Sequence, residues 1–234
     1  MYKLVMDSNT TLVAQQEEWN KVVKDLEGEN LKLASYDNTL VPLLGDLTDK
    51  NVLDYGAGPG VLALGLKKLG AKIKVWDINP EMRKKASGKI GTENTYQNLE
   101  DIPRDHFDFI ICNLVLCIVP ESEVRAIIGN IKELLNENGL SYIGFCNPKI
   151  FDIKESNLDF RFPTGNKYDD NHDYKKVKKE GGYEIIETHR PIEWYEKVFA
   201  ESGLELVDTH FTPEYELEGE KIQDFVIFEL RRKP

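Results

Sequence analysis

The sequence predicts an α/β fold: a mainly parallel sheet covered by helices on both faces. Three observations predict it. From Asn51 onward short apolar runs alternate with amphipathic stretches of helical period. The runs are apolar at successive positions rather than at every second one, as strands buried on both faces must be. A glycine cluster, Gly56, Gly58 and Gly60, separates the first such run from the first amphipathic stretch, where a strand must turn into a helix.

Taken in order, residues 1–48 read as a helical cap, with Leu12, Val13, Trp19, Val22, Val23 and Leu26 at helical spacing, then a second segment carrying Leu40, Val41, Leu43 and Leu44. Val52-Leu53 is a strand, Val61 to Leu69 a helix, Ile73 to Trp76 a strand and Pro80 to Lys89 a helix. Phe109 to Cys112 is a strand, a helix surrounds Val124 to Leu135, Asn136 to Gly139 is a turn, and Leu140 to Cys146 is a strand. Such alternation implies right-handed crossovers between parallel strands.

The pattern breaks at Asn147-Pro148. Residues 147–188 read as an insertion over the edge of the sheet, a lid or binding loop, with Phe151, Phe160, Phe162, Tyr168, Tyr174 and Tyr183 scattered among charges. A structureless loop of that length is uncommon in a compact domain, so short strands or turns are expected within it. The competing reading leaves the middle, 165 to 182, without structure, since Lys175-Lys176-Val177-Lys178-Lys179 has the form of a solvated charge run. Regular structure resumes with strand Tyr183 to Thr188, helix Ile192 to Ser202 closed by Gly203, and strands Leu204 to His210 and Phe225 to Leu230.

The 234 residues, 41% hydrophobic, suffice for one large core, and nothing marks a linker, so 1–234 reads as a single domain. The formal net charge of -11 disfavours nucleic acid and anionic lipid as partners. Neither a signal-peptide core nor an apolar span of membrane length occurs, and a cytoplasmic location is expected. Cys112, Cys117 and Cys146 lie in apolar runs with no CxxC or paired-histidine spacing, so neither a disulfide framework nor a metal site is expected. The oligomeric state is not legible.

Chemistry concentrates in Asp54-Tyr55-Gly56-Ala57-Gly58-Pro59-Gly60. Glycines there let a ligand approach bare backbone, and the following helix N-terminus offers free N–H groups. The spacing departs from a dinucleotide fingerprint, because the sixth position from Gly56 is Val61, and a Walker ending is absent. Asp54 would oppose a pyrophosphate but suits a cationic amino acid moiety, and Asp77, at the end of the next strand, can accept both hydroxyls of a ribose. A ligand with a ribose and a positive amino group fits both.

These paired motifs resemble those of class I S-adenosylmethionine-dependent methyltransferases, of the kind that act on small molecules, over residues from about 50 to 146. The resemblance implies S-adenosylmethionine as cofactor and a Rossmann-like doubly wound sheet of seven strands, ordered 3-2-1-4-5-7-6 with the last strand antiparallel. It also implies the cofactor contacts. Asp54, Gly56, Ala57, Gly58 and Gly60 form the loop, and Asp77 with Ile78 meets the ribose and adenine. Tyr96 to Pro103 is similar to the family's third motif, with Asn98 at the usual acidic position and Leu99 and Glu100 beside it. Asn113 and Leu114 flank the methyl group, and Tyr36 covers the cofactor or merely packs.

For the acceptor, the resemblance points to Trp19, Val115, Ile118, Arg190, Trp194 and Tyr195. Several read equally as core, since Trp194 and Tyr195 are at helical spacing with Phe199. If the acceptor is a hydroxyl, His189 is the candidate general base, kept neutral by the helix that follows; alternatively His189 and Arg190 only cap that helix. The leading function is transfer of a methyl group to an O or N nucleophile of a small molecule. Methylation of a peptide, protein or RNA, and cofactor binding without catalysis, are the alternatives. The stretch Cys112-Asn113-Leu114-Val115 lacks the Asn/Asp-Pro-Pro-Tyr/Phe signature associated with exocyclic-amine chemistry.

Overall fold

A computed structural model describes residues 34–150, 160–161, 167–178 and 184–233. In chain order it holds α1 (Ala34–Leu44), β1 (Asn51–Tyr55), α2 (Val61–Lys68), β2 (Lys72–Trp76), α3 (Pro80–Ile90), β3 (Phe107–Asn113), α4 (Glu121–Leu134) and β4 (Leu135–Cys146). There follow β5 (Phe160–Arg161), β6 (His172–Lys178), β7 (Glu184–His189), α5 (Ile192–Glu201), β8 (Leu204–Phe211), β9 (Tyr215–Leu217), β10 (Glu220–Ile222) and β11 (Phe225–Arg232).

The main sheet has six strands in the order β2-β1-β3-β4-β11-β8. β1 pairs in parallel with β2 and β3, and β3 with β4, while β11 runs antiparallel to both neighbours. Among the described residues this is the expected α/β arrangement, with its antiparallel last strand, less one strand. The position beyond β2 is filled only by a single bridge between Val75 and Thr95. Residues 92–94 and 99–101 wind into short 3-10 turns, leaving too little extended chain between them for a ladder.

Alternation decides which helix covers which strand residue. Leu53, Ile110, Ile143 and Phe228 pack with Val124, Ile128 and Ile131 of α4 and Val198 and Phe199 of α5. Their neighbours Val52, Ile111, Tyr142 and Ile227 face the opposite way, onto Leu40 of α1, Leu66 of α2 and Ala86 and Ile90 of α3. Successive strand side chains point to opposite faces, so strands covered on both sides read as unbroken apolar runs.

Two expectations change. Asn136 to Gly139 is not a separate turn but an irregular start of β4: Asn138 N–H bonds the Asn136 side chain at 3.0 Å, and the register with β3 shifts between Phe107 and Phe109. The lysine run is not a solvated segment, since residues 172–178 form β6, the centre of a separate antiparallel sheet β5-β6-β7. Alternation turns Lys176 inward, where it is 4% exposed, and Lys175 outward. The segment predicted as strand Tyr183 to Thr188 is the last strand of this small sheet. The predicted first helical segment, with Trp19, and Phe151, Phe162 and Tyr183 of the insertion, lie outside the described residues.

Candidate active site

The ends of β1, β2, β3 and β4 converge on one edge of the sheet. After β1 the chain turns through Gly56 (φ 77°), Gly58 (φ 52°) and Gly60 (φ 73°) into α2. Gly56 and Ala57 donate to the Trp76 carbonyl at 2.8 and 3.1 Å, tying the loop to β2. Gly56 admits no side chain: its backbone is left-handed and a Cβ there would lie 2.4 Å from Val115 Cγ2. Gly56→Ala is therefore expected to displace Val115 or the loop, lowering stability by about 1–3 kcal/mol and abolishing detectable cofactor binding, as calorimetric titration beside thermal unfolding would show.

Asp77, just past β2, accepts from Gly58 N–H and Asn79 N–H, both at 2.8 Å, so it shapes the loop as well as facing it. Each carboxylate oxygen retains a lone pair for a ligand hydroxyl. Ile78 beside it is 55% exposed, an uncommon position for a large apolar side chain and suited to a ring lying flat on it. Arg83 is held over this turn by bonds to the carbonyls of Asp77 and Ile78 at 2.7 and 3.0 Å.

Asp54 is 3% exposed and has no hydrogen-bond donor among the described residues. Burial, then the charges of Asp77 and Asp37, push its pKa up to about 7. Asp77 is raised as well, by burial, with the two backbone bonds and Arg83 opposing. Burial raises Asp37 to about 6. Three carboxylates of raised proton affinity, two of them acting on Asp54, favour a cationic ligand group and disfavour a pyrophosphate. S-adenosylmethionine, positive at its amino group and sulfur and carrying a ribose, fits this cradle.

Asn98 and Glu100 are exposed and Leu99 is half-buried, all in or beside the short turn 99–101; Asn98 donates its amide to Asp101 at 2.9 Å. Tyr36 of α1, 2% exposed, donates from its hydroxyl to the Asn113 side chain, anchoring α1 over the end of β3. Gly144 lies directly beneath, where a side chain would collide with the Tyr36 ring. Leu114 adopts φ 56°, unusual for a bulky residue, and is pinned there by its N–H on the Gly144 carbonyl at 2.8 Å. Val115 faces Gly56, and Ile118 packs against the core in the turn that follows.

At the end of β4 the small sheet encloses a cleft with about 310 Å³ of empty space, part of it open to solvent, lined by Cys117, Cys146, Tyr174, Glu187, His189 and Arg190 among others. His189 ends β7, is 4% exposed, and its Nε2 lies 2.7 Å from the Tyr168 carbonyl, so Nε2 carries the proton in the neutral ring. The Tyr168 hydroxyl accepts from Ile192 N–H and donates to Glu193, supplying the cap that Pro191 cannot give α5. Arg190 is 3% exposed and donates to the carbonyls of Leu116 and Val119 at 3.0 and 2.8 Å. Trp194 lies under its guanidinium at 5.0 Å, and Tyr195, 1% exposed, stacks on Phe145 at 4.5 Å while its hydroxyl meets Arg190 at 3.4 Å. Trp19 lies outside the described residues.

One network escaped sequence reasoning. Glu187, 2% exposed, accepts from Lys176 Nζ and from the Tyr174 hydroxyl at 2.6 Å, and Lys176 Nζ is 3.6 Å from Cys146 Sγ. The signal available was the alternation of Tyr174 and Lys176 on one face of a strand opposite Ile185 and Glu187. Removing one partner strands a buried charge, so Lys176→Ala is expected to cost about 3–5 kcal/mol, whereas the paired replacement Lys176→Met with Glu187→Leu should recover most of it in denaturant unfolding.

A Rossmann-like sheet with a left-handed glycine loop, a buried acid before it and a second acid after the next strand defines a class I S-adenosylmethionine-dependent methyltransferase domain. The chain belongs to that group: the family described as methyltransferase domain matches residues 29–188. Among curated relatives, a ribosomal protein L11 methyltransferase of Vibrio cholerae is 30% identical over 96 residues, 40% of this chain and 32% of that protein. A ubiquinone biosynthesis O-methyltransferase of Xanthomonas oryzae pv. oryzae is 30% identical over 110 residues, 44% of this chain and 45% of that protein. The chain thus spans less than half the length of these relatives. Among solved structures, the 1,6-didemethyltoxoflavin-N1-methyltransferase of Burkholderia thailandensis, with 1,6-didemethyltoxoflavin and S-adenosylhomocysteine bound, has the same fold with a TM-score of 0.66 at 13% identity, covering 100% of this chain and 94% of that one.

Proposed function

We propose that this chain transfers a methyl group from S-adenosylmethionine to an O or N nucleophile of a small molecule. The observation that carries the reading is that the turn after β3 borders two sites: its Val115 faces Gly56 of the acidic glycine-loop cradle, and its Cys117 lines a narrow cleft bordered by the small sheet. The cofactor supplies an electrophilic methyl group on sulfur, so the protein's task is to align a nucleophile with it and keep water out.

Each part of the chain has a role in that task. Asp54 holds the amino group and Asp77 the ribose hydroxyls, while Ile78 and the turn at Asn98, Leu99 and Glu100 meet the adenine. Gly56, Ala57, Gly58 and Gly60 let the ligand lie against backbone. Tyr36, Asn113 and Leu114 fix the rim on the methyl side. Val115, Ile118, Arg190, Trp194 and Tyr195 bound the acceptor, with His189, whose Nε2 donates to the Tyr168 carbonyl, as the candidate base beside them.

A small acceptor is favoured over a polymer by the narrow, buried cleft and by the net charge of -11. Among the described residues no helix is long and apolar enough to cross a membrane, and no cluster of three metal-ligating side chains occurs. The relatives named above differ, one a methyltransferase of ribosomal protein L11 and one an O-methyltransferase of ubiquinone biosynthesis, so the acceptor needs a direct test. Purified protein with methyl-labelled S-adenosylmethionine and a cell extract should place label in low-mass species that survive RNase and protease. Label lost on either treatment would assign a polymer acceptor instead.

A further inference from the structure

Arg190 is a buried cation that, among the described residues, is held by neutral groups alone. Its guanidinium bonds two backbone carbonyls and one hydroxyl, those of Leu116, Val119 and Tyr195, and among the described residues no carboxylate pairs with it. Of the five N–H donors of an arginine, those bonds leave the Nε–H and one Nη2–H unused. The residue lines the cleft at the end of β4.

The other groups facing that cleft do not supply the missing negative charge. Glu187 is neutralised by Lys176. Burial pushes the thiols of Cys117 and Cys146 and the hydroxyls of Tyr174 and Tyr195 upward, which keeps all four uncharged near neutrality. Among the described residues, the Arg190 guanidinium therefore faces the cleft without an ion-pair partner. A buried charge without a partner is costly, and two adjacent N–H groups of a guanidinium match the two oxygens of a carboxylate.

We infer that the acceptor bears a carboxylate, which enters the cleft beside Glu187 and is held by Arg190. The Leu116 and Val119 carbonyls that Arg190 holds belong to the turn whose Val115 faces Gly56, which links this cleft to the cofactor loop. This inference rests on the methyltransferase reading and adds the chemical class of its substrate.

The test compares matched pairs on the full chain saturated with S-adenosylhomocysteine: 4-hydroxybenzoate against 4-hydroxybenzamide, and indole-3-acetate against indole-3-acetamide, by calorimetric titration. In the wild type at least one carboxylate should bind tenfold or more tightly than its amide. Arg190→Gln should remove that preference, so that the carboxylate binds no more tightly than its amide in the variant, and Arg190→Lys should keep part of it. Carboxylates that bind no better than amides, including pairs in which neither binds, overturn the inference, as does a preference that persists in Arg190→Gln. Should Arg190→Gln fail to fold, the wild-type pairs alone decide. Binding of S-adenosylhomocysteine, measured first, separates the two failures: its absence refutes the cofactor reading, whereas its presence without a carboxylate preference refutes only this inference.

Discussion

Replacing Asp77 by alanine should weaken S-adenosylhomocysteine binding by about 100-fold. Two losses add. The ribose hydroxyls lose a charged acceptor, and hydrogen bonds to charged groups contribute about 1.5–3 kcal/mol, roughly 10- to 150-fold in affinity. The N–H groups of Gly58 and Asn79 also lose their acceptor, so the loop is no longer held in its binding shape. Asp77→Asn separates the two, because its amide oxygen can still accept one of the backbone bonds; it should bind more tightly than Asp77→Ala and more weakly than wild type. Titration calorimetry reads both, and equal affinity in all three proteins would contradict the assignment.

The second large effect is a pH dependence centred on Asp54. Burial, with the charges of Asp77 and Asp37, pushes its pKa from the ordinary 3.8 up to about 7 in the free protein. A cationic ligand binds the ionised carboxylate, so affinity should rise nearly tenfold per unit up to pH 7 and flatten above it, with close to one proton released per ligand at pH 6.

Stability runs the other way. Because the folded-state pKa is raised above the unfolded one, the protonated group's contribution is fully present below about pH 4 and is lost as pH rises through about 7. Asp54→Asn should therefore be more stable than the wild type at pH 8 without ligand, by ~4 kcal/mol, while its ligand affinity loses the pH slope. A site that costs stability in order to bind is common where function sets the residue. Thermal unfolding and titration at pH 5.5 and 8 check both halves.

The cofactor cradle was legible in the sequence because its logic is local. The glycines, Asp54 and Asp77 sit at the ends of consecutive strands, and a strand–turn–helix unit brings such positions together wherever it forms. The missing strand was not legible, since one bridge at Thr95 leaves the same apolar trace as a short strand. Lys176 inverts the usual rule by pointing inward from a strand whose outward neighbours include Val177, so a run of lysines gave no hint of a buried pair. Arg190 was recognisable as a helix-start residue, but the carbonyls it holds lie at Leu116 and Val119, 74 and 71 positions away, a pairing that only the fold creates.

The central claim, that this glycine loop and its acids take a cationic nucleoside rather than a pyrophosphate, is tested most directly by titrating the wild-type protein with S-adenosylhomocysteine and, separately, with NAD. One S-adenosylhomocysteine should bind per chain at micromolar concentration, with no detectable heat from NAD. Binding of NAD, or of neither, would contradict the account.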